Sequence, residues 1–399
     1  MGISKKVKGS LESASWIRKM FEEGEEMKHL YGEGNVFDFS LGNPDLEPPP
    51  FFKKGLKALA DTPVAGMHRY MPNSGYSETR KAIAEYIKEE TGLPFTEDLI
   101  VMTVGAAGGL NIVFKAILDK GDEVIVPSPY FMEYRFYIDN CGGEIQLVDS
   151  HEDFSLDLTA IEKAINEKTK AVLINSPNNP TGVIYSEESL KKLGDLLEKK
   201  SQEIKQRIHI VSDEAYRRLV FDQISLPNLF HYYPHTLRIT SHSKDLSLAG
   251  ERIGHVAVSP LCEETEELVS ALVFANRILG FVNAPALMQR LVATLQKNSV
   301  DIKYYEDKRN LFYNALRSYG YQVVKPQGAF YLFPKTPIED DVAYVRELQS
   351  KRILTVPGRG FGKPGHFRIA YSVDKKVIEG ALPGFKEVAE KYGLRGPAN

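Results

Sequence analysis

Three observations predict an α/β fold, with a doubly wound, layered sheet and a smaller α+β domain after it. From about residue 98, short β-branched runs alternate with stretches of helical periodicity. Several of those runs are apolar almost throughout, as parallel strands covered on both faces require. After Glu264 the pattern changes to longer helices mixed with short strands. Alternation of strands and helices lays helices onto the faces of one sheet.

Taken in order, Leu99–Val104, Glu123–Val126, Glu144–Val148, Ala171–Asn175, His209–Ser212 and Leu237–Ser241 read as strands. Between them Leu110–Leu118, Leu158–Ile165 and Glu187–Lys199 carry apolar residues at helical spacing. Further on, a helical stretch runs through Val269–Leu295 with a break near Gly280–Pro285, and another covers Ile302–Tyr319. Short strands at Ala329–Phe333, Ile353–Val356 and His366–Tyr371 then mix with helices at Val342–Lys351 and Val377–Lys391. The Pro-rich segment Leu41–Pro50 reads as a linker or arm. The expected division is residues 1–49 as an arm and part of the small domain, 50–285 as the large domain, and 286–399 as the small one.

The 399 residues are 43% hydrophobic and 26% charged, enough to bury a core without disulfides or metals. Two cysteines, Cys141 and Cys262, are too few for a disulfide framework and fit a reducing compartment. With 50 basic and 53 acidic residues, the net charge of −3 gives no reason to expect nucleic acid or an anionic membrane as partner. No apolar run approaches the length of a spanning helix, and the lysine-rich start, Met1–Ser10, leads into no apolar signal core. A cytoplasmic protein without a metal site is expected.

Chemistry-bearing residues gather at strand ends. Lys244 lies in Ser241-His-Ser-Lys-Asp245, just past an apolar strand. A lysine is a solvated surface residue in roughly nine cases of ten. This one stands where open α/β sheets bind ligands, and an amine of lowered pKa condenses with an aldehyde cofactor. Asp213, in Ser212-Asp-Glu-Ala-Tyr216, projects at the same edge. Its carboxylate suits a pyridine nitrogen, and equally the N-cap of a following helix. Tyr216 is close enough to reach the same ligand. Asn175-Ser-Pro-Asn-Asn-Pro-Thr-Gly182 has turn chemistry, and Asn179 offers an amide N–H to a phenolic oxygen. In Val104-Gly-Ala-Ala-Gly-Gly-Leu110, small residues between a strand and a helix let the backbone approach an anion. The segment is neither a dinucleotide fingerprint nor a Walker loop. Ser241, Ser243 and Arg252 can complete a phosphate cup. Tyr130 follows a strand end and either stacks on a flat ring or packs in the core. Arg368, on an apolar strand, needs a carboxylate, from a substrate or from a structural Asp or Glu.

In order and spacing these segments resemble the class I/II pyridoxal-phosphate aminotransferases of fold type I, the group of the aspartate, alanine and aromatic aminotransferases. The similarity runs from about Phe39 to the C-terminal helix. Asn178-Asn-Pro-Thr-Gly182, Ser212-Asp-Glu-Ala-Tyr216 and Ser241-His-Ser-Lys-Asp-Leu-Ser-Leu-Ala-Gly-Glu-Arg252 carry it. The resemblance implies a mostly parallel, mixed sheet of seven strands in a large cofactor domain. It implies that Lys244 holds pyridoxal phosphate as a Schiff base and that Asp213 pairs with the pyridine nitrogen. Asn179 and Tyr216 would then contact the ring hydroxyl, and Tyr130 would stack on the ring. Gly105, Ala106 and Ala107 would form the phosphate loop with Ser241, Ser243 and Arg252. Arg368 would grip the substrate α-carboxylate beside the backbone of Gly42. Tyr70 matches a tyrosine that reaches the phosphate of a neighbouring subunit, which implies a homodimer. The segment around Ser15 to Met20 would be lid-like.

The implied reaction is ping-pong transfer of an amino group from an amino acid to a 2-oxo acid. The resemblance leaves open aspartate, glutamate, alanine or an aromatic amino acid as substrate. Ala107 stands where one aspartate-active subgroup has a lysine. Arg277, before Asn283-Ala-Pro285, is one position from an arginine that another subgroup brings from its partner, and reads equally as a solvated helix residue. A β-lyase or decarboxylase on the same fold is the alternative. A ligand-sensing regulator is not expected, because such proteins attach a DNA-binding domain and about 40 residues without a basic surplus precede the match.

Overall fold

The computed structural model of the chain describes residues 2–12, 16–62 and 65–396. The first strand, β1 (Phe37–Asp38), belongs to a small lobe, and the next seven build the sheet that carries the site. These are β2 (Ile100–Thr103), β3 (Glu123–Ser128), β4 (Glu144–Asp149), β5 (Thr169–Asn175), β6 (His209–Asp213), β7 (Thr236–Ser241) and β8 (Gly254–Val258). Their spatial order is β2-β8-β7-β6-β5-β3-β4. Neighbours run parallel except β8, which is antiparallel to both β7 and β2. The sheet is therefore mixed and seven-stranded, as the family resemblance implies.

Alternation along each strand explains the layers. In β5, Ala171 and Leu173 face one apolar cluster, while Val172 and Ile174 face the other. The first cluster is closed by the helices Gly105–Ile117 and Thr265–Ile278, through residues such as Val113 and Leu272. The second is closed by the helix Glu187–Ile204, through Leu190, Leu193 and Leu197. A strand with period-two side chains and a helix on each face buries both sets. Each such aliphatic side chain contributes roughly 1.5–3 kcal/mol when fully buried.

β8 has no counterpart among the strands read from the sequence. Its run, Gly-His-Val-Ala-Val, opens on a glycine and a histidine, and no full-length helix separates it from β7. The short connection is taken up by the four-residue helix His242–Asp245 and a 3-10 turn, so the chain returns antiparallel. The helices Trp16–Tyr31, Pro50–Asp61, Ser77–Thr91 and Glu133–Asn140 are likewise additions to that reading. Pro50 does not end a linker but opens a helix, at a position where its missing N–H costs nothing.

In the small lobe, β9 (Tyr331–Leu332), β11 (Val356–Pro357) and β12 (Phe367–Ala370) form an antiparallel sheet in the order β11-β12-β9. β10 (Ile353–Leu354) pairs in parallel with β1. Its core holds Met20, Val36 and Phe39 from the first fifty residues, with Phe312 and Phe385 against Phe39. The helix Ala286–Ala293 falls on the small-domain side of the expected boundary. Yet its Met288, Leu291 and Val292 pack with Ile100 and Met102 of the large sheet. Of the expected lid, Ser15 lies outside the described residues, and Trp16 packs against Gly360. No helix among the described residues is long and apolar enough to cross a membrane. Cys141 and Cys262 are both free thiols.

Candidate active site

β5, β6 and β7 end side by side, with Asn175 paired to Asp213 and Asp213 to Ile239. A cavity of about 250 Å³ opens at that edge, lined by Lys244, Asp213, Asn179, Tyr216, Arg252 and Arg368 among others. This is the rim of a parallel sheet where ligands settle in open α/β folds.

Lys244 sits in the turn after β7. Ser241 caps that turn, its Oγ accepting from the Ser243 amide. The Lys244 Nζ donates to the Gly42 carbonyl at 2.8 Å. Burial, then the charges of Arg368 and Arg252, push its pKa down to about 8. The amine is thus neutral from slightly alkaline pH upward, which is the nucleophilic form.

Asp213 is 6% exposed. Its Oδ2 accepts from the Tyr134 hydroxyl at 2.6 Å, and its Oδ1 only a long bond, 3.4 Å, from the Ala215 amide. Burial pushes its pKa up to about 6, against the lowering effect of those two donors. No helix follows Asp213, so the capping alternative has nothing to cap. Asn175 ties the neighbouring loop to it. Its Nδ2 donates to the Asp213 carbonyl at 2.9 Å, while its Oδ1 accepts from the Asn179 amide at 2.7 Å.

Arg368, 2% exposed, lies between the rings of Tyr331 and Phe361, 4.7 Å from each centroid. It donates to Asn179 Oδ1 at 3.1 Å and to the Ser40 carbonyl at 2.6 Å, and its Nε has no partner. Its described partners include no Asp or Glu, so the structural-carboxylate alternative has no support. Tyr216 shares a 2.7 Å hydrogen bond with the Tyr331 hydroxyl.

The helix Gly105–Ile117 starts well before Leu110, where apolar periodicity first becomes visible. Its first turn therefore presents unpaired amides beside Ala106, Ala107, Ser241, Ser243 and Arg252, all on the cavity wall. Gly105 has φ +75°, and a Cβ there would stand 2.8 Å from Arg252 Nη2. Only glycine brings backbone and guanidinium this close.

Tyr130, Tyr70 and Arg277 are not on this cavity's wall, and the last two were matched to residues that act on a partner subunit. Tyr130 is 3% exposed but not on the cavity wall; its amide donates to the Phe361 carbonyl, and its ring packs on Gly362. The cavity is lined instead by Phe131. Tyr70, 91% exposed, borders a separate surface depression with Met71 and Asn283. Arg277 is an exposed helix residue with its guanidinium 5.3 Å from the Phe274 ring. Gly42 is present through its carbonyl, but it serves Lys244; the backbone partner of Arg368 is Ser40. Sequence reasoning passed over Phe131, Tyr134, Asn175 and Tyr331.

The model of the family "Aminotransferase class I and II" matches residues 34–384. A probable aspartate aminotransferase of Methanocaldococcus jannaschii is 32% identical over 369 residues, covering 89% of this chain and 94% of the relative. A probable aspartate/prephenate aminotransferase of Aquifex aeolicus is 33% identical over 380 residues, covering 88% and 91%. The crystal structure of an aminotransferase from Eubacterium rectale superposes with a TM-score of 0.95 at 41% identity, covering 98% of this chain and all of that one. The chain belongs to the class I and II aminotransferases, the pyridoxal-phosphate-dependent enzymes of fold type I.

Proposed function

We propose that this aminotransferase works through Lys244 and Asp213, which hold pyridoxal phosphate from two sides, with Arg368 receiving the substrate. One observation carries the reading: a half-buried lysine of lowered pKa and a buried carboxylate face one cavity, beside a buried guanidinium whose Nε has no partner among the described residues. The cofactor fits the residues present. The cavity wall supplies an amine for its aldehyde, an acid for its ring nitrogen, and hydroxyls, a guanidinium and helix-end amides for its phosphate. When bound, pyridoxal phosphate supplies the electron sink that stabilises negative charge on the substrate α-carbon.

The chain's own residues do the rest. Lys244 would hold the cofactor through its Nζ. The same Nζ would take the proton from the substrate α-carbon as general base. Asp213 keeps a proton on the ring nitrogen by pairing with it, an ion pair strengthened by its burial. Arg368, held by Asn179 and Ser40, receives the α-carboxylate on its planar fork. Asn179, its oxygen engaged by Arg368, has its amide N–H for the ring oxygen, with Tyr216 beside it. Ser241, Ser243, Arg252 and the amides of Gly105, Ala106 and Ala107 bind the phosphate.

The donors we propose are aspartate, glutamate, alanine or aromatic amino acids, with a 2-oxo acid as acceptor. The names of the relatives support aspartate among these donors. We also propose a homodimer, in which the exposed Tyr70 reaches the partner's phosphate site, and a cytoplasmic location. Replacing Lys244 with Ala tests the central assignment. The protein incubated with pyridoxal phosphate is expected to lose its visible absorption and nearly all turnover; an unchanged spectrum overturns the assignment.

A further inference from the structure

Tyr134 is a fully buried tyrosine on the helix Glu133–Asn140, beyond the part of the chain that the proposed reaction uses. Its hydroxyl makes one hydrogen bond, 2.6 Å long, to Asp213 Oδ2. A phenol buried without a partner costs free energy, and here the only partner is the site carboxylate itself. We propose that Tyr134 is a positioning residue, which anchors Asp213 by Oδ2 and leaves Oδ1 for the ring nitrogen of the cofactor. This deepens the reading of Asp213 given above and rests on it.

Geometry supports the division of labour between the two oxygens. Oδ1 has only the long bond from the Ala215 amide, so it retains capacity for a strong, charge-assisted donor. Rotation of the carboxylate would break the Tyr134 bond, so the phenol also locks its orientation. The charge state follows the same logic. Burial favours the neutral acid, and the Tyr134 hydrogen bond is the foremost influence opposing it. The other titratable groups facing Asp213 do not take over this role. Tyr137 from the same helix and Glu214 and Tyr216 from the end of β6 each sense the Asp213 charge, but none bonds its side chain. Tyr134 itself stays a phenol at any working pH, because burial and the neighbouring carboxylate push its own pKa far up.

Tyr134→Phe removes one oxygen and keeps the ring, which packs edge-on to Phe131 at 5.6 Å. In the apoprotein, infrared difference spectra against pH report the carboxyl of Asp213, identified as the band missing from Asp213→Asn. The wild-type midpoint is expected near 6. Loss of a hydrogen bond to the charged form raises it by about 1–2 units in Tyr134→Phe. In the holoenzyme the same variant is expected to lower kcat about tenfold or more, with KM for amino acids within about twofold. An unmoved midpoint, or a moved midpoint with unaltered kcat, overturns the proposal. Asp213→Asn separates the two levels. If it transaminates normally, the reading of Asp213 fails. If it is inactive while Tyr134→Phe matches wild type, Tyr134 alone is wrongly assigned.

Discussion

Lys244 owes its lowered pKa to burial first and to the two guanidiniums second. The sign of the consequence is definite: a depressed lysine pKa makes the neutral amine available at lower pH. Capture of pyridoxal phosphate by the apoprotein, followed by its absorption, is therefore expected to accelerate through a midpoint near 8, where an ordinary lysine of 10.5 would still be charged. Arg368→Ala removes one repelling cation, so the midpoint moves upward, and KM for amino acids and oxo acids rises together. A midpoint that stays put in the variant would show that Arg368 does not act on the amine. At this scale the sequence was partly legible. Lys244, Asp213 and Arg368 announce themselves as polar residues at or within apolar strands. Phe131 was missed by one position, because it lies in the irregular segment beyond β3, where no periodic pattern says which aromatic enters the cavity. Tyr134 and Tyr331 reach the site from a helix and from the other lobe, contacts that no local pattern encodes.

The turn between β7 and β8 and the start of the helix Gly105–Ile117 form one element in practice. Gly254 pairs with Ser241, and an added Cβ at Gly254 would press on the backbone of Thr240 and of Gly105. Gly105 in turn faces Arg252. Gly105→Ala must adopt φ +75° with a side chain, at a cost of about 1–2 kcal/mol. It also pushes Arg252 aside. The expected result is a lower melting temperature together with faster loss of pyridoxal phosphate on dialysis; equal retention would place the phosphate elsewhere. Long apolar strands and amphipathic helices could be read from the sequence because burial on one or both faces writes a periodic pattern. β8 is too short and too mixed to do so. The glycine- and alanine-rich first turn of the helix carries no apolar stripe, which hid its true start at Gly105.

Across the whole molecule, the site lies where the lobes meet. Lys244 and Asp213 come from the large sheet, Arg368 from β12 of the small lobe, and Gly42 and Ser40 from the segment leading out of β1. The two-lobe plan was visible as a change of pattern after Glu264. Its boundary was not, because the helix Ala286–Ala293 turns its apolar face back to the large sheet, and only the fold shows which core it joins. The proposed homodimer predicts a solution mass of twice 44.8 kDa. It also predicts that Tyr70→Phe keeps that mass while releasing pyridoxal phosphate more readily. A monomeric, fully active enzyme would refute it.

Borohydride reduction of the holoenzyme, followed by peptide mapping, tests the central claim most directly. Reduction makes the link between cofactor and lysine permanent, so the modified residue can be read by mass. A phosphopyridoxyl group is expected on Lys244. A group on any other lysine, or none at all, would contradict it.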